Sequence, residues 1–374
     1  MRIAILTSVF MPEFGVARVI ASQLPYLVRS GISVDLYACE LDRGMLCEGV
    51  SAVRVPTHLK GLRRALEQGR YDVIVAHTDP FYSFLAHHSC GAKTIGYEHG
   101  YPPVELCPPE ERGARLKLIG DRQNDIYPSL TKVVTISRYG AEYLKWRAAD
   151  IIYNGADHYE KGCGEKVLDD SAAMKIMAVT RYRKEEWTYK GLDSVIRLKK
   201  DLGDRCEITV VGRGDEESKR TLLDAGIKVS GVVSDADLAR YYSESDALVS
   251  FSQWELFNLP LAEAGFARTP ALALNVCAHP EVTPFVFDSY EAVRDYLLQS
   301  TRQSLHSDGE KMHAYVSGRF RWEQNVQGLL EVFKSVVPEP SAKKSSFIKN
   351  LIWLFWEARE SLRQNIYRKW VKRR

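Results

Sequence analysis

From Ser250 to Ala264 the chain reads Ser-Phe-Ser-Gln-Trp-Glu-Leu-Phe-Asn-Leu-Pro-Leu-Ala-Glu-Ala, which sets Glu255 and Glu263 on either side of Phe257, Asn258, Leu259 and Pro260. Proline is favoured in the first turn of a helix, where the N–H it lacks would have no partner. A helix starting near Pro260 therefore leaves the amides of Phe257, Asn258 and Leu259 as unpaired donors at its positive end. Such a cluster is an anion site suited to a diphosphate. Carboxylates accept paired hydroxyl hydrogen bonds, so Glu255 and Glu263 suit the hydroxyls of a sugar and of a ribose.

Other polar groups stand at the ends of apolar runs. Arg181 closes Ala178-Val179-Thr180, Lys190-Gly191-Leu192 follows, and Arg183 and Lys184 lie between them as alternative cations. Gly212 and Gly214 follow Val210-Val211, and Gly231 and Val233 lie within Lys228 to Ser234. His99 ends the run Thr94 to Glu98 and is followed by glycine, and His77 stands at the end of Asp72 to Ala76. A metal is not expected. Asp235-Ala236-Asp237 follows Ser234 and reads as a helix start, with serine capping and acids in the positive first turn. His87-His88-Ser89-Cys90 has no second half to complete a ligand set.

These groups need rigid elements to hold them. At 374 residues the chain exceeds what one core usually fills, so two domains are expected. In the first, strands are expected at Ile3 to Ser8, Ser33 to Ala38, Val73 to Ala76, Lys93 to Tyr97 and Lys132 to Thr135. Helices are expected between them at Ala17 to Arg29, Gly61 to Gln68, Phe81 to His88 and Glu110 to Ile126. Asp157 to Glu165 is polar and glycine-bearing, suited to a linker. The alternation restarts with strands at Lys175 to Val179, Glu207 to Val211, Lys228 to Ser230, Ala247 to Ser250 and Ala271 to Leu274. Leu192 to Lys200, Glu216 to Asp224, Asp235 to Ser243, Leu261 to Ala267 and Trp322 to Val336 read as its helices. This is an α/β architecture of two Rossmann-like, doubly wound domains, at 1–157 and 174–336, facing each other across a cleft at the carboxyl ends of both sheets.

Composition narrows the class. Charged residues at 26% and the lack of any long apolar stretch exclude a membrane-spanning helix. Seven cysteines without CxxC spacing argue for reduced thiols, and the opening strand-like run for a protein without a secretory signal, so a cytoplasmic location is expected. No Gly-x-Gly-x-x-Gly follows either first strand, which disfavours a dehydrogenase. From Lys343 to Arg374 ten Lys or Arg face two Glu, while the rest of the chain is net acidic. Phe347, Leu351, Leu354, Ala358, Leu362, Ile366 and Trp370 recur at helical spacing there, and the tail is expected to be a basic amphipathic helix on an anionic membrane surface. Nucleic acid is not an expected partner.

Taken together, these motifs resemble the retaining glycosyltransferases of family 4, of GT-B fold, whose signature is two glutamates separated by seven residues with phenylalanine and usually glycine following the first. Glu255, Phe257 and Glu263 are in register, with Asn258 where glycine is common. The resemblance implies that Glu255 binds the donor sugar, the Phe257 to Leu259 amides its diphosphate and Glu263 the ribose. Arg181 and Lys190 would offset charge on the departing nucleotide in place of a metal. It also implies Gly212 beside phosphate, Gly231 and Val233 beside the nucleobase, and His99, in preference to His77, at the transferred sugar. Gly15, in the loop Phe10 to Ala17, would close over the diphosphate, where the family usually has two glycines. Asn154-Gly155 and Val133 to Ser137 resemble structural landmarks of the family.

The implied reaction moves a sugar from a nucleoside-diphosphate sugar to a glycan or lipid-linked acceptor without a cofactor. The leaving diphosphate would take the acceptor proton on the same face, retaining the anomer. Competing readings are a catalytically silent GT-B partner subunit and a GT-B nucleotide-sugar epimerase or phosphorylase.

Overall fold

The computed structural model describes residues 1–146, 148–162 and 173–336. The expected tail helix at 343–374 lies outside the described residues. The first sheet contains β1 (Arg2–Phe10), β2 (Ser33–Leu41), β3 (Val50–Arg54), β4 (Val73–Ala76), β5 (Lys93–Glu98), β6 (Lys132–Thr135) and β7 (Asp150–Ile151). All pairings are parallel, in the order β3-β2-β1-β4-β5-β6-β7. Alternate residues enter different apolar clusters, Ile3, Ile5, Val73 and Val75 on one face and Ala4, Leu6, Ile74 and Ala76 on the other. A sheet buried on both faces needs such unbroken apolar runs. Its helices are α1 (Gly15–Arg29), α2 (Leu62–Gly69), α3 (Phe81–His87), α4 (Pro109–Asp121), α5 (Tyr127–Ser129) and α6 (Arg138–Tyr143). A π-helical turn, Arg122–Ile126, joins α4 to α5.

The second sheet holds β8 (Met174–Val179), β9 (Cys206–Val211), β10 (Lys228–Gly231), β11 (Ala247–Ser250), β12 (Ala271–Leu274) and β13 (Val286–Phe287), parallel in the order β10-β9-β8-β11-β12-β13. Around it lie α7 (Leu192–Leu202), α8 (Glu216–Asp224), α9 (Asp235–Glu244), α10 (Leu259–Phe266), α11 (His279–Val282), α12 (Tyr290–Gln299), α13 (Arg302–Ser317) and α14 (Trp322–Ser335). Strand order reverses between β1 and β4 and between β8 and β11, the switch points at which open α/β sheets hold ligands. The two carboxyl edges meet. A Cβ placed on Gly100, after β5, would stand 2.2 Å from Leu256 Cδ1, after β11.

The segment expected as a linker, Asp157 to Glu165, opens with a 3-10 helix, Asp157–Gly162, in which Tyr159 is buried and Asp157 Oδ1 accepts the Trp322 amide at 2.9 Å; 163–165 lie outside the described residues. The helix that closes the second domain in the sequence reading, α14, returns to the first. Its Asn325 Oδ1 accepts from Gln23 of α1 at 2.8 Å and its Nδ2 donates to the Tyr153 carbonyl at 2.7 Å. No helix among the described residues is long and apolar enough to cross a membrane.

Candidate functional site

β8 and β11 are sheet neighbours, so the loops after them bring Lys190 and Glu255 together although they are 65 residues apart. Lys190 Nζ donates to Glu255 Oε1 at 2.5 Å, and Ser252 Oγ donates to the same oxygen at 3.0 Å. Burial alone would raise the Glu255 carboxyl, but the Lys190 charge and hydrogen bond, aided by Ser252, hold it below the usual range. Glu255 is thus an ionised, pre-oriented acceptor for hydroxyl groups. Gly191 is required beside it: its φ is +69°, and a Cβ there would fall 2.3 Å from the Phe251 carbonyl oxygen.

Immediately after Phe257 the chain turns sharply at Asn258, which is left-handed, with φ 59° and ψ 70°, and caps the N-terminus of α10. Its Nδ2 donates to Ser250 Oγ and to His279 Nε2, both at 3.0 Å. His279 Nδ1 lies 2.9 Å from the Leu274 carbonyl, so it carries the proton and Nε2 is free to accept. Burial keeps this imidazole neutral by lowering its pKa. Among the described residues, the amides of Phe257, Asn258 and Leu259 donate to no protein acceptor. They form a donor cluster beside Glu255, at the positive end of α10.

Arg181, after β8, is half-exposed and pairs with Glu186 rather than with the Glu255 cluster, Nη2 to Oε1 at 2.6 Å. Of the alternative cations, Lys184 reaches outward to Glu217 at 3.5 Å. Gly212 has a φ of +143°, and a Cβ there would fall 2.1 Å from the Thr180 carbonyl oxygen, so the approach of the chain after β8 already demands glycine. Gly15 and Gly231 have open space where a Cβ would stand, and Val233 is half-buried before α9. Glu263, on α10, is buried. Tyr242 donates to its Oε2 at 2.5 Å and His158 Nε2 lies 3.1 Å from its Oε1. Asp235 takes both terminal nitrogens of Arg18 at 2.7 Å and Asp237 pairs with Arg240, while Ser234 caps α9 as its sequence suggests.

Across the cleft, His99 Nε2 and His77 Nδ1 are 2.9 Å apart, stacked with Tyr97. Burial pushes His99 down to about 3 and His77 well below its ordinary value, so the pair is neutral. No polar contact among the described residues joins His99 to Glu255; they occupy facing loops. Beneath the histidines, Arg122 from the π-helical turn makes two 2.8 Å bonds to Glu98 and one of 2.5 Å to Asp79. Sequence reasoning missed Glu98, Arg122 and His279, whose partners come from distant segments, and Glu186, whose partners Arg181 and Tyr189 are close in sequence.

Residues 15–160 match Glycosyltransferase Family 4 and residues 173–299 match Glycosyl transferases group 1. An uncharacterized 41.2 kDa protein in the cps region of Klebsiella pneumoniae is 25% identical over 184 residues, 47% of this chain. That match spans 50% of the relative, so the likeness covers about half of its length. Among solved structures, Anabaena HepE in complex with UDP and glucose aligns with a TM-score of 0.71 at 16% identity, over 90% of this chain and 100% of that one. Sucrose-phosphate synthase from Thermosynechococcus elongatus aligns with a TM-score of 0.72 at 16% identity, over 89% and 98%. These likenesses concern the fold.

Proposed function

The chain belongs to the family 4, group 1 glycosyltransferases of GT-B fold, and on that premise we propose that it transfers a hexose from a nucleoside-diphosphate sugar, retaining the anomeric configuration. One observation carries the reading: the ionised Glu255, held by Lys190, lies beside the unpaired amides of Phe257, Asn258 and Leu259 at a strand-order switch point. In this reading Glu255 takes sugar hydroxyls, the amides take the diphosphate, and Glu263 takes the ribose. Lys190 and Arg181 offset the charge of the leaving group without a metal, and His99 faces the transferred sugar from the other domain. The UDP and UDP-glucose in the HepE complexes make uridine nucleotides the first donors to test. The cps-region relative supports a cell-envelope glycan or lipid-linked acceptor. The basic 343–374 segment would hold the enzyme on the inner face of the membrane.

The test is a thermal-shift panel with UDP, GDP, ADP and CDP, with and without EDTA, since a ligand of the folded state raises Tm. A chelator-insensitive shift with one diphosphate is expected; the absence of any shift counts against the donor site. Proton NMR of the product then reads the anomer, and an inverted product overturns retention.

A further inference from the structure

Both cations assigned to the diphosphate are already paired, each with its own carboxylate. Lys190 meets Glu255, and Arg181 meets Glu186 at 2.6 Å. Glu255 belongs to the family signature, but Glu186 lies in the segment between the two cations. The Tyr189 hydroxyl donates to Glu186 Oε1 at 2.7 Å, while Oε2 is buried and makes no hydrogen bond among the described residues. The Glu186 side chain is only 15% exposed, so little water screens its charge. Its loop is fastened to the wall that carries Glu255: the Tyr189 carbonyl accepts from the Gln253 amide at 2.7 Å.

We propose that Glu186 sets the affinity of the site for its nucleoside diphosphate by neutralising Arg181. The proposal rests on the donor-site reading above. Two cations and two carboxylates sum to no formal charge, so an incoming diphosphate gains less from Arg181 than an unpaired guanidinium would give. A weaker hold also favours departure of the diphosphate after transfer.

Glu186→Gln keeps an acceptor oxygen for Tyr189 and Arg181 and removes the charge. Diphosphate binding should then tighten, by about 3- to 10-fold at low salt, with the gain shrinking as salt rises because Arg181 is half-exposed. A carboxylate that only propped up the loop would give the opposite sign. Isothermal titration of the full chain with UDP, GDP, ADP and CDP, at about 20 mM and about 500 mM salt, tests this. E186Q and E186A should both tighten the diphosphate that the unmodified protein prefers, and E186D should leave it unchanged. Unchanged or weaker binding to E186Q at an unaltered Tm overturns the proposal and leaves the donor site standing. If the unmodified protein binds none of the four, the donor-site reading and the proposal fall together.

Discussion

Asn258→Gly installs the residue the family usually carries at this position, and it should nevertheless destabilise the protein. Glycine relieves the left-handed backbone, a gain of at most about 1 kcal/mol over asparagine. It also deletes the Nδ2 bonds to Ser250 and His279. His279 is buried, so its Nε2 is left without a donor at a cost of about 1–3 kcal/mol, and the second bond is worth about 1 kcal/mol. The net loss should be about 1–3 kcal/mol. Asn258→Ala loses the same bonds and retains the backbone penalty, so it should fall about 1 kcal/mol further. Urea unfolding of the three proteins at one pH gives the ranking, with unchanged m-values required for the comparison. Nucleoside-diphosphate affinity should survive in N258G, whose backbone can keep the amide cluster, and fall in N258A. A glycine variant as stable as the unmodified protein would refute the claim that the side chain anchors this turn.

Lys190→Met leaves Glu255 without its cation and should lower stability by about 3 kcal/mol, with loss of transfer, measured by urea unfolding and a coupled assay for diphosphate release. Arg122→Met strips Glu98, which is 1% exposed, of its only cation among the described residues and should cost about 3–5 kcal/mol at neutral pH. Adding Glu98→Gln should restore part of it. Acid should weaken the fold through its histidines: His77 and His99 have folded pKa values below 6.5, so the unfolded chain binds more protons as pH falls from about 6.5 towards 3. Urea midpoints should therefore drop between pH 7 and pH 5, with a shallower slope in His77→Gln.

How far the sequence reaches depends on where a residue's partners lie. The strands β4, β6, β11 and β12 are legible to the residue, because sheets buried on both faces require short continuous apolar runs. β3 is not, since its edge position leaves it half-exposed, and β7 and β13 are only two residues long. Spacing likewise exposes Glu255 and Glu263, which share one strand-loop-helix segment. It cannot show that Lys190 comes to Glu255 through the β8–β11 pairing, or that Tyr242 donates to Glu263.

Asn258 shows the same division within a single residue. In the sequence it reads as a glycine lost, tolerable because asparagine accepts a left-handed backbone. In the structure its side chain also ties the end of β11 to α11, two elements that a glycine would leave unconnected at this point. From α11, Glu281 accepts the amides of Arg138 and Tyr139 at 2.9 and 2.8 Å, at the start of α6 in the other domain. Asn258 and the start of α6 thus both bond to side chains of the same short helix, α11, so a change at Asn258 should be felt in how the two carboxyl edges meet as well as in the local turn.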